Sequence, residues 1–203
     1  MERTFILETG GNRNDPDEIK PASTNNKMTK KKKAVITLLI IIIAGLAIPQ
    51  HLHMPVAGAT KADYHPQSFW YYPWGKSVTH KGVDIFAREG TEIFSATTGL
   101  VLFAGDVPMG GKVVFVIGPK WRLHYYAHLK EISTSPFTFV SHKALLGTVG
   151  TTGNARGKAP HLHYSIVTPI PYPWRIDSDR QGWKKAFYLN PIDYFQKPCC
   201  SHT

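Results

Sequence analysis

From Tyr71 onward the chain is a succession of short runs rich in Val, Ile, Phe, Tyr and Thr. They are Val83–Ala87, Glu92–Ala96, Leu100–Ala104, Val113–Ile117, Leu123–Leu129, Thr138–Ser141 and His161–Thr168. Glycine and proline punctuate them: Gly90, Gly99, Gly105, Pro108, Gly110, Gly111, Gly118 and Pro119. No sustained apolar repeat of 3.6 residues accompanies them. Such runs can bury their apolar faces only by pairing, so the region is predicted to be all-β, an antiparallel sandwich or barrel-like sheet.

The N-terminal third differs. Residues 1–33 are polar and end in Lys30-Lys31-Lys32-Lys33, and read as a disordered basic segment. Residues 34–48 are apolar and end at Pro49. That run is shorter than the roughly 20 residues of a membrane span and sits at the upper end of a signal-peptide core. Two membrane readings stay open. One is an uncleaved anchor with its lysines inside. The other is a signal peptide starting at Met28, with Ala57-Gly58-Ala59 as cleavage site and Thr60 as the first mature residue. A buried soluble helix fits less well, because it would not normally carry four lysines at one end. Both membrane readings place the rest of the chain outside the cytoplasm, in the periplasm or cell envelope. Residues 49–70 read as a linker, 71–197 as the folded domain and 198–203 as a tail.

The formal net charge of +10 favours a polyanionic partner. An export signal and the lack of an interleaved basic–aromatic motif argue against nucleic acid. Cys199 and Cys200 are the only cysteines, and adjacent residues are too close for an unstrained disulfide. No disulfide framework is expected.

Three segments carry histidines in informative settings. His80-Lys81-Gly82-Val83-Asp84 offers two zinc-type ligands four residues apart. On a straight strand they would lie about 13 Å apart, so joint ligation needs a bend, which Gly82 permits. In His161-Leu162-His163-Tyr164-Ser165-Ile166, alternation puts His161, His163 and Ser165 on one face. Leu162, Tyr164 and Ile166 take the other, predicted to face the core. In Leu123–Leu129, alternation groups Leu123, Tyr125, Ala127 and Leu129 against His124, Tyr126 and His128. Taken singly, each motif is also compatible with a solvated or structural histidine.

Their order is more specific. H-x3-D, then Tyr126-Ala127-His128-Leu129, then Leu146–Asn154 and Pro160-His161-Leu162-His163, resembles the lysostaphin and LytM family of peptidoglycan endopeptidases. The resemblance runs from about Gly75 to Phe195 and ends on Asn190–Phe195. It implies a LytM-type catalytic fold in which His80, Asp84 and His163 hold one Zn2+. It further implies that His128 and His161 are the catalytic pair and that the partner is the peptide stems and cross-links of peptidoglycan. Two imidazoles and a carboxylate leave a fourth position open, which suits catalytic rather than structural zinc. With no H-E-x-x-H glutamate, proton transfer would fall to imidazole. The stretch Ala155–Pro160 departs from the family's commoner Thr-Gly-Pro run, which touches substrate contacts rather than chemistry. Residues 169–189 form either a groove wall or a packed loop. The competing class is a non-catalytic wall-binding regulator; chelation-sensitive cleavage separates the two. A cupin metal site is disfavoured, because no glutamate follows His163.

Overall fold

A computed structural model describes residues 28–195. The expectations for residues 1–27, the tail and Cys199 and Cys200 lie outside the described residues. Nine strands among the described residues form one antiparallel sheet system. They are β1 (Val83–Phe86), β2 (Glu92–Phe94), β3 (Gly99–Val107), β4 (Gly111–Ile117) and β5 (Leu123–Ile132). The remainder are β6 (Phe139–Val140), β7 (Leu145–Val149), β8 (His161–Val167) and β9 (Tyr188–Leu189). The main order is β1-β8-β5-β4-β3-β6, with β7 joining β2 to β5 and β9 pairing with β8. The domain is therefore all-β and antiparallel. β7 and β9 are additional to the runs read from sequence.

The core lies between β1, β8, β5 and β4 and the β2–β7 ladder. Ile85, Ile93, Val114, Val116, Tyr126, Leu129, Leu146, Leu162, Tyr164 and Ile166 are all fully buried. On β8 this is the face that alternation assigns to the core. On β5 the apolar grouping does not mark the core. His124 and Tyr126 lie in the core and Tyr125 faces the opposite side. Apolar content misleads here because two polar side chains find buried partners. His124 pairs with the Tyr164 hydroxyl at 2.6 Å and with Gln50 at 2.9 Å. The Tyr126 hydroxyl accepts from the Ala96 amide at 2.9 Å. Buried polar groups with partners lose little of what water gave them.

The segment 49–70 is not a free linker. Val56 and Tyr64 belong to the core. The chain around Val56 runs beside β2: His53 N donates to Ala96 O, Phe94 N to Pro55 O and Ala57 N to Glu92 O. A cut after Ala59 would remove all three bonds together with Val56. The signal-peptide reading with Thr60 as first residue therefore conflicts with the packing.

Helix α1 (Lys30–Ala47) begins at an N-cap, where Thr29 Oγ1 accepts from Lys32 N. Lys30–Lys33 are thus its first turn and not part of a disordered segment. No helix among the described residues is long and apolar enough to cross a membrane. α1 touches the body at the turn after β4. Trp121 Nε1 donates to Ile42 O at 3.0 Å and Lys120 Nζ to Leu46 O at 3.1 Å. Gly45 is required at this contact, since a Cβ there would lie 2.3 Å from the Trp121 ring.

Burying a valine side chain contributes about 1.5–3 kcal/mol. A chain beginning at Thr60 is expected to melt on the order of 10 °C below one beginning at Gln50, as read by circular dichroism. Equal melting temperatures would mean that residues 50–59 are not part of the folded body.

Candidate metal centre

β1 and β8 pair so that Asp84 lies directly opposite His163. The chain bends at Gly82, just before β1, and this returns His80 to the same point. Gly82 also serves by its lack of a side chain. A Cβ there would sit 2.4 Å from Ser165 Oγ, 2.5 Å from Tyr164 O and 3.0 Å from His163 Cε1. Three atoms then converge. His80 Nε2 is 3.0 Å from Asp84 Oδ1, His163 Nδ1 is 2.8 Å from the same oxygen, and the two nitrogens are 3.0 Å apart.

The outer bonds fix which ring atoms are free to ligate. His80 Nδ1 is 2.9 Å from Ser68 O, a carbonyl that can only accept, so Nδ1 carries the proton and Nε2 is a lone pair. His163 Nε2 is 3.0 Å from Ser165 Oγ, which leaves Nδ1 for the centre. Burial alone would raise the Asp84 carboxyl. Bonds and charge from His163 and His80 outweigh burial and hold it well below the usual carboxylate range. Burial lowers the pKa of His163 despite Asp84. An ionised carboxylate and two imidazole lone pairs at this spacing repel one another unless a cation or shared protons lie between them. The donor set suits zinc: two nitrogens and one carboxylate oxygen. Ser68 and Ser165 hold the rings in place from behind, as outer partners of metal-site histidines do.

His128 and His161 complete the cleft. His161 Nδ1 is 2.7 Å from Ala159 O and His128 Nδ1 is 2.9 Å from Thr152 O. Both carbonyls are acceptors, so both histidines present an unprotonated Nε2 when neutral. Their rings are 5.1 Å apart, and His161 Nε2 lies 3.8 Å from Asp84 Oδ2. Burial first, then the charges of His163 and His161, pushes His128 down to about 4. Strict alternation on β5 would have sent His128 into the core beside His124 and Tyr126. A register shift opposite Lys112–Val114 intervenes, and His128 takes φ +68°. This bulge turns the imidazole to the cleft, at the backbone cost of a non-glycine residue in the left-handed region.

The cleft holds about 190 Å3 and is also lined by Trp74, Tyr125, Met109, Asn154 and Lys158. Trp74 stacks on His80 at 4.1 Å. Burial pushes Tyr125 up to about 12, so its hydroxyl stays protonated. Neither residue was singled out from sequence as part of the site; Tyr125 had been grouped with the apolar face. The segment 169–189 packs on the wall that carries His80. Trp70 Nε1 donates to Arg180 O at 3.1 Å, and Ala186 is buried. Trp174 and Trp183 remain exposed.

Residues 78–172 match the sequence profile of peptidase family M23. The DD-carboxypeptidase/endopeptidase Mpg of Neisseria meningitidis is 33% identical over 114 residues, 53% of this chain and 26% of that protein. The glycyl-glycine endopeptidase ALE-1 of Staphylococcus capitis is 30% identical over 100 residues, 48% and 27% of the respective chains. The chain thus spans about a quarter or less of the curated relatives it matches. The catalytic domain of lysostaphin from Staphylococcus simulans superposes with a TM-score of 0.52 at 23% identity. That superposition covers 64% of this chain and 90% of the other, and it places the fold among LytM- and lysostaphin-type domains. The M23 segment contains His80, Asp84, His128, His161 and His163.

Outside the centre, burial first and then the Arg122 charge push His124 down to about 3. The unfolded chain binds that proton below its ordinary 6.5, whereas the folded chain does not until near 3. Stability from this group is full above pH 6.5 and is lost as pH falls, by up to about 1.4 kcal/mol per pH unit. Urea midpoints of metal-free protein at pH 7, 6 and 5 are expected to fall more steeply for wild type than for His124→Gln. Parallel lines would show that His124 is not held neutral by the fold.

Proposed function

We propose that the chain is a zinc-dependent endopeptidase that hydrolyses peptide cross-links of bacterial peptidoglycan. The observation that carries this reading is the convergence of His80 Nε2, Asp84 Oδ1 and His163 Nδ1 beside two unprotonated imidazole nitrogens. The M23 match and the activities named for the relatives, glycyl-glycine endopeptidase and DD-carboxypeptidase/endopeptidase, support the substrate class. They leave both types of cross-link as candidates. Their role in the wall, with the apolar run at 34–48, supports an exported enzyme held at the cytoplasmic membrane by α1.

In this proposal His80, Asp84 and His163 hold the ion. A zinc ion there supplies Lewis acidity toward water and the scissile carbonyl. His161 Nε2, steered by Asp84 Oδ2, takes the proton from the attacking water and returns it to the leaving amine. His128 Nε2 lies across the cleft as a second unprotonated acceptor, placed to share in taking the proton from the attacking water. The carbonyls of Ala159 and Thr152 hold each ring in the tautomer this needs. Tyr125, protonated throughout, offers a donor in the same cleft.

The test separates ligation from proton transfer. Purified chain is expected to bind one zinc. Asp84→Ala and His163→Ala should lower zinc affinity by orders of magnitude. His128→Ala and His161→Ala should keep zinc and lose about 10²–10⁴ in the rate of cleavage of defined muropeptides, followed by mass spectrometry. Zinc retained in His163→Ala but lost in His128→Ala would reverse the assigned roles. Near-normal rates in both proton-transfer variants would refute the mechanism.

A further inference from the structure

The end of the domain opposite the metal centre carries apolar surface that the reaction does not use. β3, β4 and β5 run between the two ends. Met109, Gly110 and His128 lie at the cleft, whereas Gly99, Ile117 and Trp121 lie at the foot of α1. Along β4 the separation is about 20 Å at roughly 3.3 Å per residue. At the foot a cavity of about 1040 Å3 opens between α1 and the body, lined among others by Ile48, Leu52, Ile117, Trp121 and Phe139.

Three observations say what covers this end. Phe139, on the cavity rim, is 72% exposed. Phe137, two residues away, is 80% exposed and is held at φ +66° by a turn in which its amide donates to Val101 O at 2.7 Å. A bulky residue in the left-handed region is strained, and here the strain presents an apolar ring to the outside. Secondly, α1 is apolar on every side after Lys33, and Val35, Leu38, Ile40 and Ile43 are each more than half exposed. A helix that is apolar all round belongs in an apolar phase rather than on a water surface. Thirdly, cations border the apolar zone. Lys30–Lys33 stand at the far end of α1, and Lys120 and Lys143 stand beside the cavity-lining Trp121 and His142. Apolar surface flanked by lysine matches an anionic phospholipid bilayer.

We propose that the foot of the domain, with Trp121, Phe137, Phe139 and the cavity mouth, seats on an anionic phospholipid bilayer into which α1 inserts. The active cleft then faces away from the lipid. The proposal rests on the reading of α1 as a retained membrane segment. It adds that the body itself contacts lipid, with one orientation. The apolar part of α1 extends only about 22 Å at 1.5 Å per residue, short of a core of about 30 Å. α1 therefore does not cross the bilayer but lies in its apolar boundary, with the lysine stems reaching back to the headgroups. The bond from Trp121 to Ile42 and the close contact at Gly45 tie helix and body together, so insertion of one sets the tilt of the other.

The experiment is hydrogen exchange, read by mass spectrometry, on the full chain with and without phosphatidylglycerol–phosphatidylethanolamine vesicles. No wall substrate is present, so its outcome is independent of whether the chain cleaves peptidoglycan. Vesicles are expected to slow exchange in peptides covering 118–122 and 136–142 as well as α1, with 150–163 unchanged. Slowing confined to α1, or slowing at 150–163, would overturn the proposal. So would protection of the foot that rises with protein concentration in the absence of vesicles, which would mark it as a contact between copies. As a second arm, the exposed pair Phe137→Glu and Phe139→Glu is expected to keep its melting temperature and its muropeptide cleavage. Vesicle affinity should fall at least tenfold; unchanged affinity would refute a role for these rings.

Discussion

The placement of Asp84 opposite His163 across the β1–β8 pair is the contact on which the site depends. Antiparallel pairing brings opposite residues within about 5 Å at Cα. That alone puts a carboxylate and an imidazole in contact without help from any loop. The bend at Gly82 then adds His80, and the space left by the missing Cβ lets Ser165 and His163 pack beneath it. A slip of one residue between β1 and β8 would send His163 to the core and Tyr164 to the cleft. The apolar face of β8 guards against that slip, because Leu162, Tyr164 and Ile166 are all fully buried. Core packing and metal geometry are thus two faces of one strand.

Burial does a second job around this pair. Each of the four histidines at the centre is bound at its outer nitrogen to a carbonyl or hydroxyl: Ser68 O, Ser165 Oγ, Thr152 O and Ala159 O. These bonds direct the free nitrogens inward. Burial lowers the proton affinity of His128 and His163, so lone pairs rather than N–H groups fill the cleft near neutral pH. Such a site is organised for a cation and for proton acceptance before any substrate arrives.

Much of this could be read from the residues. Alternation on β8 is strict, so the shared face of His161 and His163 followed directly. The bend at Gly82 was legible because no straight strand could bring His80 to Asp84. His128 reached the cleft for a reason alternation could not supply. A bulge and a left-handed residue redirect it, and neither leaves a mark in the apolar pattern. His124 and Tyr126 lie in the core although polar, because partners 30 and 74 residues away in sequence satisfy them inside. The segment around Val56 was read as linker because an isolated bridge to Ile93, with no alternating run, ties it in. Contacts of long sequence separation account for His124, Tyr126 and Val56, and a local bulge accounts for His128.

The two ends of the sheet give the molecule a polarity: the histidine cleft at the β3–β4 turn, the exposed apolar surface at the β4–β5 turn. The central claim is the identity of the atoms that hold the metal. X-ray absorption at the zinc edge of the loaded chain tests it most directly. The expected spectrum has two imidazoles and light oxygen scatterers at about 2.0–2.2 Å, four ligands in all, without sulfur. Three or more imidazoles, which would put His128 or His161 in place of Asp84, would contradict it, as would a zinc–sulfur shell near 2.3 Å from Cys199 or Cys200.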